Sequence, residues 1–109
     1  MLKINQIEGR IYKVEAQIRE AKKQQNMEAL KSLRLENAEL RQELEDRRRF
    51  EQEAYIMVNE CRVAYDSRDS NKINDWLENN YKPFRTFWIN KVGEDVFGTV
   101  WNKINKTIR

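Results

Sequence analysis

A chain of 109 residues that is 36% charged and only 39% hydrophobic has too little apolar material for a large globular core. It suits long, solvent-washed helices arranged as one domain, or as one small domain with an extended arm. It contains no histidine, one cysteine, three glycines and one proline. The commonest general base and metal ligand is therefore missing, Cys61 alone makes neither an internal disulfide nor a zinc cluster, and Gly9, Gly93 and Gly98 cannot build a phosphate-binding loop. Most enzyme classes are disfavoured, and neither a cofactor nor a metal is expected.

No run of eighteen or more apolar residues predicts a transmembrane helix. The opening MLKINQIEGR lacks the apolar core and cleavage site of a secretory signal, so a cytoplasmic location is expected. The net charge of +3 is too small to imply a polyanionic partner by itself. Its distribution is more informative: residues 81–109 carry Lys82, Arg85, Lys91, Lys103, Lys106 and Arg109 against Glu94 and Asp95. Arg47, Arg48 and Arg49 form a second basic run, closely flanked by Glu43, Glu45, Asp46, Glu51 and Glu53.

Along the chain, Ile4, Ile7, Ile11, Val14, Ile18 and Ala21 recur at alternating spacings of three and four, a heptad seam. Gly9 lies outside it and costs about 1 kcal/mol of helix propensity relative to alanine. The pattern breaks over residues 22–26 and resumes in a new phase at Leu30, Leu33, Asn37, Leu40 and Leu44. One continuous helix with a stutter would produce such a jump. So would a turn at 24–26 with Asn26 in the left-handed conformation. The turn is favoured because Lys22 and Lys23 suit a helix C-terminus and the following residues restart as a helix would. The two seams would then pair within one chain as a helical hairpin, or between chains as a coiled-coil dimer or higher oligomer. Asn37 at a seam position either fixes register and oligomer state or faces solvent at a hairpin edge.

The second helix is expected to run over 27–65, about 60 Å at 1.5 Å per residue. Phe50, Ala54, Met57, Val58, Cys61 and Tyr65 form an apolar stripe on it, and Tyr55, Ile56 and Val63 broaden the stripe. That breadth predicts cover on more than one side. The polar segment 66–71 reads as a linker rich in capping residues, separating the arm (1–65) from an aromatic-rich helical region (72–109). Ile73, Trp76 and Leu77 mark a short helix ending near Asn79 and Asn80, and Pro83 is expected to stop it and to sit in the first turn of the next. Phe84, Phe87, Trp88 and Val92 share one side of that helix, which Gly93 loosens. Val96, Phe97, Val100, Trp101, Ile104 and Ile108 define an amphipathic final helix with Asn102, Lys103, Asn105, Lys106 and Arg109 opposite. The fold class is all-α: a long hairpin or coiled coil followed by a small bundle of short amphipathic helices.

Seven of the eleven aromatic residues fall in the last 34 positions, too short a stretch to bury them alone. They must cover the 50–65 end of the long helix, meet another subunit, or face a partner. Catalysis finds no nucleophile beside a base, and Cys61 beside Met57, Val58 and Tyr65 reads as a packing cysteine. Glu36, Glu39, Glu43 and Asp46 recur at helical spacing, but a carboxylate metal site needs a second helix to present partners.

The function expected is a non-enzymatic adaptor, inhibitor or assembly component. Trp76, Phe84, Arg85, Phe87, Trp88 and Trp101 are its candidate partner-binding anchors, since aromatics and arginine dominate interface energetics. The runner-up is nucleic-acid binding through Arg47, Arg48, Arg49, Lys103 and Lys106 with stacking tryptophans. For those residues a neutralised helix face and core packing are the simpler accounts. A third reading lays the final helix on a membrane surface. In its small size, mixed charge and abundant asparagine and lysine, the chain resembles bacteriophage-encoded accessory and virion proteins. That resemblance would place it in a host cytoplasm or a particle.

Overall fold

A computed structural model of the protein describes residues 3–108, with the backbone alone for Ile108. Met1, Leu2 and Arg109 lie outside the described residues, and so do the roles assigned above to Arg109 and to the Ile108 side chain. Every described element is helical: α1 (Ile4–Lys23), α2 (Met27–Asp66), α3 (Ser70–Trp76), a π-helical turn (Leu77–Tyr81), α4 (Lys82–Val92) and α5 (Glu94–Ile108). The chain forms two compact units, one ending at Arg48 and the other beginning at Arg49, so the division falls inside α2. The polar segment 66–71 lies within the second unit.

The first unit is a helical hairpin, and the phase jump explains why. Ala21 and Leu30 are nine residues apart, about two and a half helical turns. On one continuous helix the two seams would face opposite ways; a turn lets them meet. The Asn26 N–H donates to the Ala21 carbonyl at 3.0 Å and the Gln25 N–H to Lys22 at 3.2 Å, closing α1 with a Schellman motif. The left-handed residue is Gln25 (φ 55°), not Asn26 as expected. Asn26 is taken up as the N-cap of α2, where its Oδ1 accepts from the Ala29 N–H at 3.1 Å. A cap residue needs non-helical backbone, so the left-handed turn falls one position earlier.

Across the hairpin, Ile7, Ile11, Val14 and Leu40 form a buried cluster with Ile18, Leu33 and Leu44 packed against it. Ala21 and Leu30 are also buried and Ile4 is half-buried. Glu15 pairs with Arg41, and Glu8 with Arg48 at 3.4 Å. The partners step by one heptad in opposite directions, which fixes an antiparallel register. That register sets Asn37 opposite Val14. Asn37 is not a solvent-facing edge residue: it is half-buried, and its Oδ1 is buried with no hydrogen-bond partner.

The second unit is built on the start of the α2 stripe. Phe50, Ala54 and Val58 are buried, and Trp88 of α4 and Val96, Phe97 and Val100 of α5 are buried with them. Phe50 sits 5.4 Å from the Trp88 ring and 5.5 Å from Phe97, while Phe97 stacks on Trp101 at 5.8 Å. Trp88, Phe97, Phe84, Tyr81 and Trp101 thus take the first of the three expected fates, covering α2 around Phe50 and Ala54.

Two local expectations are corrected here. The chain does not break before Pro83: Trp76, Leu77, Tyr81 and Lys82 all keep right-handed helical backbone. The Lys82 N–H reaches back five residues to the Leu77 carbonyl. This widened turn accommodates a proline that has no N–H and would crowd the carbonyl four residues earlier. Trp76 and Tyr81, five residues apart, would lie about 140° apart around a regular helix; the π-helical turn brings their rings to stack at 5.8 Å. The second correction concerns the far side of α2. Tyr55, Ile56 and Val63 were expected to be covered, yet they are 52%, 58% and 72% exposed.

Two short turns complete the unit. Ser67 Oγ donates to the Ala64 carbonyl at 2.6 Å, and Asp69 Oδ1 caps α3 by accepting from the Asn71 and Lys72 N–H groups. Gly93 joins α4 to α5 at φ 90° and ψ 157°, a conformation essentially reserved for glycine. Its N–H donates to Ile89 and its carbonyl accepts from Phe97, so it ends one helix and starts the next. No described helix is long and apolar enough to cross a membrane.

Candidate docking surface

Of the six expected anchors, only Arg85 and Phe87 are exposed. Trp88 is 1% exposed, and its indole donates to Glu53 Oε2 at 2.9 Å. Trp76 is buried and donates to Glu60 Oε2 at 3.3 Å. Phe84 and Trp101 are half-buried against the aromatic core. Phe87 meets Trp88 edge-on at 5.0 Å with the Lys91 ammonium 5.2 Å from its ring, and Arg85 pairs with Glu94 at 3.4 Å.

The ten seam residues, Asn37 included, belong to the hairpin of a single chain. The basic run has no shared face. Arg47 is buried, Arg48 is held by Glu8, and Arg49 pairs with Glu53 at 3.3 Å with its guanidinium 5.6 Å from the Trp88 ring. Lys103 and Lys106 are exposed on α5.

A strip of accessible apolar side chains lies instead on α2. Tyr55, Ile56, Asn59 and Val63 fall at helical spacing on one face, and with Lys72 and Trp76 of α3 they line a groove of about 560 Å³. Glu60 lies along the same groove and holds the Trp76 indole, which fixes the α3 wall. Asn59 Nδ2 donates to the Tyr55 carbonyl of its own helix at 3.1 Å, so it contributes its edge to the groove floor. A smaller hollow of about 230 Å³ lies between α2 and α5, lined by Glu51, Tyr55, Val100, Lys103, Ile104 and Thr107.

Sequence reasoning weighed Tyr55, Ile56 and Val63 only as a widening of the stripe, and it missed Arg62. Arg62 donates to the Asn105 carbonyl at 2.8 Å, satisfying one of the carbonyls left open in the last turn of α5. A lone arginine within an apolar stretch was the available signal. Cys61 is half-buried, and burial pushes its thiol above the ordinary range, with the Arg62 charge pulling weakly the other way. That environment makes a poor nucleophile. Among the described residues, no three His, Cys, Asp or Glu side chains come together as metal donors would. No protein-family model, curated protein or solved structure matches this chain.

Proposed function

We propose that this chain is a non-enzymatic protein–protein interaction protein, an adaptor, inhibitor or assembly component, that docks a protein partner along the exposed face of α2. The observation that carries the reading is the strip of Tyr55, Ile56 and Val63 beside Trp76. Large aliphatic and aromatic side chains left this open, in a groove walled by a second helix, suit a partner that completes their burial. Most of the large aromatic residues of α4 and α5 are spent on the unit's own core, whereas this strip is not. The separate pairing of Arg48 and Arg49 weighs against a nucleic-acid surface there. The test is a photo-crosslinking residue placed at Ile56 and, for comparison, at Lys103, in the cell that makes the protein. A discrete protein adduct at 56 and none at 103 supports the reading. A nucleic-acid adduct, or no adduct, at 56 overturns it.

A further inference from the structure

The antiparallel register of the first unit makes a ladder of ion pairs whose rung nearest the turn breaks the pattern. Glu8 pairs with Arg48 and Glu15 with Arg41, each step advancing seven residues along α1 and retreating seven along α2. The next step sets Lys22 across from Arg34, so two cations stand where this flank elsewhere joins an acid to a base. Arg19 precedes Lys22 by three residues and Lys31 precedes Arg34 by three, which puts all four on the same flank. All four are exposed, and none has an ion-pair or hydrogen-bond partner among the described residues.

The cluster is compact and one-sided. With Asn37 opposite Val14, Arg34 lies level with Gln17, and the four residues fall within about 8 Å along the hairpin. The acids of this end point elsewhere by helical phase. Glu20 is on the opposite flank, where it accepts from Gln24 Nε2 at 3.3 Å, and Glu28 faces outward. Met27, the first residue of α2, shares the basic flank four residues before Lys31 and is 70% exposed. Like charges held this close repel, and an external anion relieves the repulsion.

Shape selects the anion. A nucleic-acid strand needs cations repeated along its track and rings to stack on. Here the next rung is the Glu15–Arg41 pair, and exposed Tyr12 lies beyond it. The turn end of a hairpin is convex, with Met27 protruding beside the cations. A bilayer surface offers such an end many headgroup phosphates at once and admits the apolar side chain beneath them.

We propose that Arg19, Lys22, Lys31 and Arg34 form a docking site for anionic phospholipid headgroups at the turn end of the hairpin. The test is co-sedimentation of the full chain at low salt with two kinds of vesicle. One is phosphatidylcholine alone, the other phosphatidylcholine and phosphatidylglycerol in equal parts. Binding is expected to the anionic vesicles only, and high salt should release it. Arg34→Glu supplies the missing acid opposite Lys22, so Tm should hold or rise while affinity falls about tenfold or more. Lys22→Gln with Lys31→Gln, which keeps Arg34, should weaken binding to a similar extent. Lys103→Gln with Lys106→Gln on α5 lowers the net charge as much as Arg34→Glu does, and should leave binding unaltered. Equal binding to both vesicles, binding to neither, binding undiminished by the hairpin variants, or an equal loss in the α5 variant would each overturn the proposal. So would tighter retention of a fluorescein-labelled oligonucleotide that Arg34→Glu abolishes, which would assign the cluster to nucleic acid.

Discussion

Glu53 serves Trp88 and Arg49 at once. Its Oε2 accepts the indole N–H of Trp88 at 2.9 Å, its Oε1 pairs with Arg49 at 3.3 Å, and the guanidinium of Arg49 lies 5.6 Å from the Trp88 ring centre. Trp88 is the largest fully buried side chain of the second unit, and a buried indole N–H without an acceptor is costly. A single carboxylate thus fixes the orientation of the central aromatic residue and ties the exposed arginine to it.

Removing that acceptor should be felt in stability. Glu53→Ala is expected to cost about 1–2 kcal/mol in urea unfolding. Glu53→Gln should cost less, because the amide oxygen still accepts from the indole. Trp88→Ala should cost about 3–5 kcal/mol through the cavity left beside Phe50. A Glu53→Ala and Trp88→Phe double-mutant cycle with no coupling would show that the hydrogen bond contributes nothing.

Gly93→Ala isolates a backbone effect. An added Cβ would meet nothing within 4 Å, so the whole cost comes from φ 90° and ψ 157°. A loss of about 2 kcal/mol is expected, seen as a lower Tm with the helical spectrum preserved. An unchanged Tm would mean that the α4–α5 turn relaxes freely.

Asn37→Leu should stabilise the protein. Its buried Oδ1 has no partner in the hairpin, and filling the position opposite Val14 with an apolar side chain should gain about 1 kcal/mol. Sedimentation of the same variant tests a specificity role: a change from the wild-type oligomeric state would show that the asparagine holds the pairing to its native form. Thermal unfolding and sedimentation on one preparation separate the two effects.

Cys61 should react slowly. With its thiol pushed up by burial, the thiolate fraction at pH 8 lies below that of a free cysteine. Labelling with a thiol-reactive disulfide reagent should run several-fold slower than in denaturant and accelerate with rising pH. The sign for stability follows: the folded state holds this proton more tightly than the unfolded chain, so the contribution is complete below the ordinary thiol range and is lost as pH climbs through it. A rate equal to that of the denatured chain would contradict the buried environment.

The hairpin was more legible than the seams alone suggest. The half-turn offset between Ala21 and Leu30 already selects a turn over a stutter, and the flanking Glu8 and Glu15 with Arg48 and Arg41 spell out antiparallel pairing. The aromatic core was legible in outline, because Phe50, Ala54 and Val58 sit at helical spacing and need cover. Which aromatic residues would be buried was not. Trp88 and Phe87 are neighbours in sequence, and only the rotation of α4 about its axis separates core from surface. The open strip of Tyr55, Ile56 and Val63 escaped for a related reason. Periodicity reports which residues share a helix face and is silent on whether any other element is long enough to reach it. The groove itself joins residues of α2 to Lys72 and Trp76, and its shape depends on the turn at 67–69, where Arg68 adopts φ 54°.

The π-helical turn acts as a phase adjuster. A helix tolerates one extra residue by widening a single turn, and here that widening lets Trp76 stack on Tyr81, which packs on the same aromatic core as Phe84 and Trp88. Deleting Asn79 or Asn80 would close the turn to regular spacing and set Pro83 against the carbonyl four residues earlier. It would also rotate everything that follows by about 100°, carrying Trp88 off Phe50 and Glu53. The irregularity at 77–81 is thus the feature that keeps α3 and α4 in angular agreement.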